Sequence, residues 1–151
     1  MKYIWALDLS LSCVGISIFD NDAKSVLITS VDTKSEKEHQ RKLKIIADYL
    51  LLLKEKYEPE KLIIEGGFSR FNASTQAIYK VFGLCQYLFN EIPQIYYQPS
   101  TIKKVVGGKG NMTKDDLKMI LEKKYNVSFL NTDESDSYAI GLCYFINMGS
   151  I

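Results

Sequence analysis

Apolar residues fall into two kinds of run along this chain. Tyr3 to Leu9 is short and almost wholly apolar, interrupted near its end by Asp8, as a buried strand that closes on a functional group would be. Val14 to Phe19 reads as a second strand, and Ser10-Leu11-Ser12 is short enough to make the two a hairpin. Asp20-Asn21-Asp22 is a turn signal, and Ser25 to Val31 is a third antiparallel strand. The spacing then changes. Between about Ser35 and Tyr57, Leu43, Ile46, Ala47, Leu50, Leu53 and Tyr57 recur at helical intervals, and Pro59 punctuates the end. Lys61 to Glu65 is a short buried strand that again ends at a carboxylate, followed by a Gly66-Gly67 loop.

Ser74 to Asn90 predicts a second helix. Ile78, Val81, Phe82, Cys85 and Phe89 line one face, and Ala77, Leu84 and Leu88 another. A helix apolar on two faces is either deeply buried or packs on a partner chain. Gln94 to Tyr97 is a fifth strand, Pro99 opens a short helix, and Gly107-Gly108-Lys109-Gly110 is a loop. Thr113 is the expected N-cap of a helix to Tyr125, with Asp115 and Asp116 in its first turn. The last helix runs from Thr132 to about Asn147 and buries Tyr138, Ala139, Leu142, Cys143 and Ile146. The order is β-β-β-α-β-α-β-α-α, with the short Pro99 helix after the fifth strand. Three strands in a meander, then strands separated by helices, define an α/β class: a five-stranded mixed sheet with helices on both faces.

Composition narrows the picture little. A chain of 151 residues, 46% hydrophobic, suits one packed domain spanning residues 1–151. No run approaches the roughly 18 to 20 apolar residues that span a bilayer. The start of the chain does not read as a signal peptide, so a cytoplasmic protein is expected, and virus- or phage-encoded action in a host cytoplasm fits as well. Cys13, Cys85 and Cys143 are far apart and in apolar settings, which reads as buried free thiols rather than a zinc site. Net charge is only +1, but it is unevenly placed. From Pro99 to Tyr125 seven lysines (103, 104, 109, 114, 118, 123 and 124) face three acids, and the acidic Asp133-Glu134-Ser135-Asp136 follows directly. A basic stretch beside an acidic cluster fits phosphate binding next to a cation site.

The carboxylates carry the chemistry. Asp8 ends the first strand and Glu65 the fourth. Asp133 and Asp136, three residues apart, share nearly one face at the start of the last helix. In a mixed sheet the first and fourth strands can lie side by side and parallel, so that their carboxyl ends open at one edge. Four such acids repel one another unless a counter-charge is present. Oxygen ligands of this kind suit magnesium or manganese, and two ions about 4 Å apart can promote phosphodiester hydrolysis. Each acid also has a plainer reading: Asp8 as a turn cap, Glu65 as a loop-edge acid, Asp133 and Asp136 as helix-capping residues. Their combination favours the metal reading.

These same residues resemble the motifs of the RuvC family of Holliday-junction resolvases. Asp8-Leu-Ser-Leu-Ser-Cys-Val-Gly15 is similar to the first motif, and Ile63-Ile64-Glu65-Gly66-Gly67-Phe68 to the second. Asn72-Ala73 and the helix after it also fit. Pro99 to Gly107, with Lys114 beyond it, resembles the family's basic segment, and Asp133-Glu134-Ser135-Asp136-Ser137-Tyr138-Ala139 its closing motif. The resemblance covers nearly the whole chain. It implies an RNase H-like fold, a homodimer, and paired nicks across branched DNA such as a four-way junction. It implies that Asp8, Glu65, Asp133 and Asp136 hold two magnesium or manganese ions and that Lys114 joins them in catalysis. Lys103 and Lys114 would contact the scissile phosphate region, and Phe68 would stack near the crossover. Arg70, Lys104 and Lys109 complete the expected DNA-binding set. Lys80 and Gln76 are further residues that would face DNA, and the helix from Ser74 to Asn90 would form the dimer contact.

The first motif departs from the family's usual Asp-Pro-Gly, reading Asp8-Leu9-Ser10, and Ser137 stands where alanine is usual; both are similar to diverged viral resolvases. Three rivals use parts of the same pattern. An actin-like or sugar-kinase-like ATPase shares the aspartate and glycine-bearing hairpin of residues 8–15 but needs two lobes and a second phosphate loop. An RNase H-like nuclease acting on RNA or non-junction DNA would use the same acids. An inert DNA-binding protein would not need all four.

Overall fold

Strand alternation builds a two-sided sheet at the centre of the molecule. The computed structural model describes residues 1–66 and 73–151; Gly67, Phe68, Arg70 and Asn72 lie outside the described residues. β1 (Tyr3–Asp8) pairs antiparallel with β2 (Cys13–Phe19), placing Asp8 opposite Gly15. β3 (Ser25–Asp32) continues the meander. β4 (Pro59–Glu65) lies parallel to β1, and β5 (Gln94–Tyr97) parallel to β4. The order β3-β2-β1-β4-β5 puts β1 in the middle. The expected five-stranded mixed sheet is therefore present, with β1 and β4 adjacent and parallel.

Both faces are covered. Trp5, Leu7, Val14, Ile16, Ile18, Leu62 and Ile64 point into one core, closed by α1 (His39–Lys56) and α2 (Ala73–Leu88). Ile4, Ala6, Phe19 and Ile63 point into the other, closed by α3 (Pro99–Gly107), α4 (Lys114–Tyr125) and α5 (Thr132–Asn147). Phe19, Leu50 and Ile63 are fully buried, and each such side chain contributes roughly 1.5–3 kcal/mol of burial free energy.

The start of the first helix differs from the sequence expectation. α1 begins at His39 rather than near Ser35. The chain before it turns instead: Thr33 N–H donates to Ser12 O at 2.9 Å and its hydroxyl to Leu11 O, and Glu36 N–H donates to Thr33 O at 3.0 Å. Three helices follow β5, the first of them the short helix expected at Pro99: Pro99 in its first turn and Gly108 in a left-handed conformation (φ 86°) delimit α3 at nine residues.

α5 is the pivot of the second layer, buried without interruption from Glu134 to Phe145. Two glycines let it approach the sheet. A Cβ on Gly141 would collide with the ring of Phe19, and one on Gly15 with the carbonyl of Asp133. Ser17 and Ser137 then bridge strand and helix by a buried 2.7 Å hydrogen bond.

Candidate active site at the carboxyl ends of β1 and β4

The period of the strands aims the first two acids. Ile4 and Ala6 enter the α5-side core, so Asp8, two residues on, faces the same side. Ile63 fixes the same direction for Glu65. Leu7 pairs with Ile64, so the two acids end neighbouring strands at one level.

α5 brings the second two. Its N-cap is Asn131, whose side-chain oxygen accepts from Glu134 N–H at 2.9 Å. Glu134 in turn accepts from Leu130 N–H at 3.0 Å and from the Ser30 hydroxyl at 3.5 Å. The capping work thus falls to Asn131 and Glu134, and Asp133 and Asp136 are left to face the sheet edge. The Asn-x-x-Glu spacing that announces this cap is present in the sequence.

Asp8, Glu65, Asp133 and Asp136 line one cleft of about 370 Å³, with Lys103 from α3 and Lys114 from α4. Leu9 and Ser10, just beyond β1, also line it. The Ser10 hydroxyl accepts from the N–H groups of Ser12 and Cys13, both at 3.2 Å, which shapes the turn after Asp8. Lys114 Nζ lies 2.8 Å from Asp136 Oδ2. Lys114 is the first residue of α4, held there by its Thr113 cap, whose hydroxyl accepts from Asp116 N–H.

The acids are electrostatically crowded. Burial, followed by the charges of Asp136 and Glu65, holds the Asp8 carboxyl well above its ordinary range. Burial and then Asp136 raise Glu65, with Lys114 and Lys103 opposing. Asp136 is raised by burial, against the hydrogen bond and charge of Lys114. For Lys114, burial disfavours the charge but is outweighed by Asp136, Asp8 and Glu65, so its ammonium is held above the usual lysine range. Cys13 enters the same neighbourhood, unnoticed in the sequence: burial, then its hydrogen bond with Asp133, pushes its thiol up to about 12.

A surplus of hard carboxylate oxygens with raised pKa values is what a magnesium- or manganese-type cation relieves, so the donor set fits such an ion. Among the described residues no three of these groups yet converge as a ready-made ligand cluster. Lys114 already occupies an oxygen of Asp136.

The other expected site residues are placed differently. Lys104 is exposed outside the cleft, its carbonyl accepting from the Gly108 N–H at the end of α3. Lys109 is exposed beside Asn111 and Met119, away from the acids. Lys80 meets His39 Nδ1 at 2.8 Å on the layer opposite α5. Gln76 is exposed on α2, while Phe68 and Arg70 lie outside the described residues.

A mixed sheet of this order, with acids at the ends of β1 and β4 and at the start of the last helix, is the architecture of RNase H-like nucleases. The family model described as crossover junction endodeoxyribonuclease RuvC matches residues 4–144. This chain belongs to the RuvC family. A RuvC of Ehrlichia chaffeensis is 31% identical, with 93% of this chain and 94% of that protein covered. A RuvC of Christiangramia forsetii is 26% identical, with 98% and 81% covered. Among solved structures, the Thermus thermophilus RuvC in complex with Holliday junction substrate matches with a TM-score of 0.81 at 17% identity, covering 99% of this chain and 98% of that one. The fowlpox virus resolvase, in complex with substrate Holliday junction DNA, matches with a TM-score of 0.58 at 19% identity, covering 95% and 99%. These two likenesses bear on the fold. Among the described residues no helix is long and apolar enough to cross a membrane.

Proposed function

We propose that this chain is a structure-selective endonuclease that nicks four-way junctions and related branched DNA, acting as a cytoplasmic homodimer of single-domain subunits. The observation that carries the reading is that four acids from three chain segments, with two lysines, line one cleft. Asp8, Glu65, Asp133 and Asp136 would hold the divalent cations. When bound, two such ions supply Lewis-acid stabilisation of charge at the attacked phosphate and at the leaving oxygen.

The chain's own residues do the rest. Lys103 and Lys114 neutralise and orient the scissile phosphate within the cleft. Buried Asp8 and Asp136 are fixed by strand and helix, so the acids are positioned before substrate arrives. Phe68 and Arg70, just beyond β4, would meet the DNA near the crossover, and Lys104 and Lys109 its outlying backbone. Two nicks placed symmetrically need two sites about a twofold axis, and the exposed side of α2, with Tyr79 and Tyr87, is the surface for that contact.

The test is nicking of a labelled synthetic four-way junction in magnesium or manganese, beside a linear duplex and an RNA–DNA hybrid. Asp8→Asn serves as the control, and mass in solution is measured on the same sample. Cutting of the junction that needs metal and Asp8 supports the reading. Preference for the hybrid would assign the same acids to a different substrate.

A further inference from the structure

The cleft carries its own cation. Lys114 Nζ sits 2.8 Å from Asp136 Oδ2, and the two partners are unlike: the lysine side chain is 59% exposed, the aspartate 10%. Asp136 is fixed within the buried part of α5. Lys114 reaches it from the first position of α4 on a long flexible stem. The acid therefore stays and the lysine is the mobile member.

We propose that Lys114 is a resident counter-cation of Asp136, which balances this acid in the metal-free protein and competes with the divalent cation for it. The inference rests on the metal-binding reading of the site. An ammonium and a divalent cation on one carboxylate repel each other strongly in a partly buried cleft. Metal loading then moves Lys114 off Asp136. The exchange frees the ammonium inside the same cleft, where a phosphate oxygen can take it.

The experiment is manganese binding to the full chain without DNA, read by the electron paramagnetic resonance signal of free Mn2+. Wild type is compared with Lys114→Met and Lys103→Met. Removing Lys114 should tighten binding roughly two- to fivefold, the worth of an ion pair with one exposed partner. Removing Lys103, which lines the cleft without an ion pair to Asp136, should tighten it less. A second measurement needs no variant. The slowly exchanging 15N–1H signal of the Lys114 ammonium should be lost as magnesium is added to wild type. Unchanged affinity in Lys114→Met, equal tightening in Lys103→Met, or an ammonium signal that persists at saturating magnesium would each overturn the competition while leaving metal binding intact. Manganese binding to none of the three proteins would overturn the metal-site reading and the proposal with it.

Discussion

Gly15 and Asp133, 118 positions apart in the chain, are in backbone contact: no side chain fits between the Gly15 Cα and the Asp133 carbonyl. Gly15 is also the residue paired with Asp8 across β1 and β2. One position therefore lies opposite the first acid in the sheet and against the helix that carries the third and fourth.

Gly15→Ala must push the start of α5 away from the sheet. Overpacking of this kind costs about 1–3 kcal/mol, and a displacement near 1 Å in a catalytic constellation lowers rate by about a hundredfold. Urea unfolding and junction cleavage measured on the same preparation check both. Gly83, on the exposed side of α2 with nothing within 4 Å of its would-be Cβ, is the counter-example. Within the subunit alanine there should stabilise α2 by roughly 0.5–1 kcal/mol, while the mass in solution of the same variant reports on the dimer contact proposed for this face.

Asp8→Asn should abolish cleavage yet stabilise the metal-free protein. Asp8 has a folded pKa above its ordinary value of 3.8. Such a group binds its proton more tightly when folded. Its stabilising contribution is complete below the ordinary carboxylate range and is lost as pH rises through the raised value. At neutral pH the ionised acid therefore opposes folding, and its neutral isostere should raise stability by on the order of 1 kcal/mol. Thermal melts at pH 7.5 without metal decide it: an unchanged or lower melting temperature in Asp8→Asn would contradict the crowding described.

Activity should fall on the acid side earlier than free carboxylates titrate. Asp8, Glu65 and Asp136 are all raised, from ordinary values of 3.8, 4.5 and 3.8. Protons and divalent cations compete for these oxygens. The acid limb of the pH–rate profile should thus lie above those values and move to lower pH as magnesium is increased. A limb that stays fixed across magnesium concentrations would show that another group controls it.

Ser17 and Ser137 form the polar bridge between β2 and α5, and the Ser137 hydroxyl also donates to Glu134 O at 2.8 Å. Removing the Ser137 hydroxyl strands that of Ser17 in a buried setting at a cost of about 1–3 kcal/mol, whereas Ser17→Ala leaves Ser137 its bond to Glu134 O and should cost less. Ser137→Ala and Ser17→Ala together should cost less than the sum of the two single changes, because the double variant leaves no unpaired group at the bridge. A double-mutant cycle of unfolding free energies gives the coupling directly, and simple additivity would mean that the bridge contributes nothing.

Much of this arrangement was legible before any coordinates. Apolar runs ending at Asp8 and Glu65 read correctly as strands, and the parallel β1–β4 pairing is the arrangement that a mixed sheet allowed them. Charge density was a poorer guide. It grouped Lys103, Lys104 and Lys109 together, whereas Ile102 and Val106 fix the buried face of α3, turn Lys104 outward and leave Lys103 at the cleft. Helical period contains that distinction, but counting charges discards it. The Asn131 cap could have been read from its spacing to Glu134, which would have removed the capping interpretation of Asp133 and Asp136. The Gly15–Asp133 contact could not, since it exists only once strand and helix have packed.

The turn between β2 and β3 lies at the opposite end of the strands from the acids. Ile4 pairs with Phe19 there, whereas Asp8 pairs with Gly15 at the site. The Asp20 side chain closes that turn, accepting from the N–H groups of Asp22 and Lys24 at 2.9 and 3.0 Å, and Asp20 N–H donates to Lys24 O at 2.9 Å. That pole of the sheet lies away from the acids. A fluorophore or a surface tether at Asn21 would sit a full strand length from the cleft, so that single molecules could be watched on DNA with the cutting edge unobstructed.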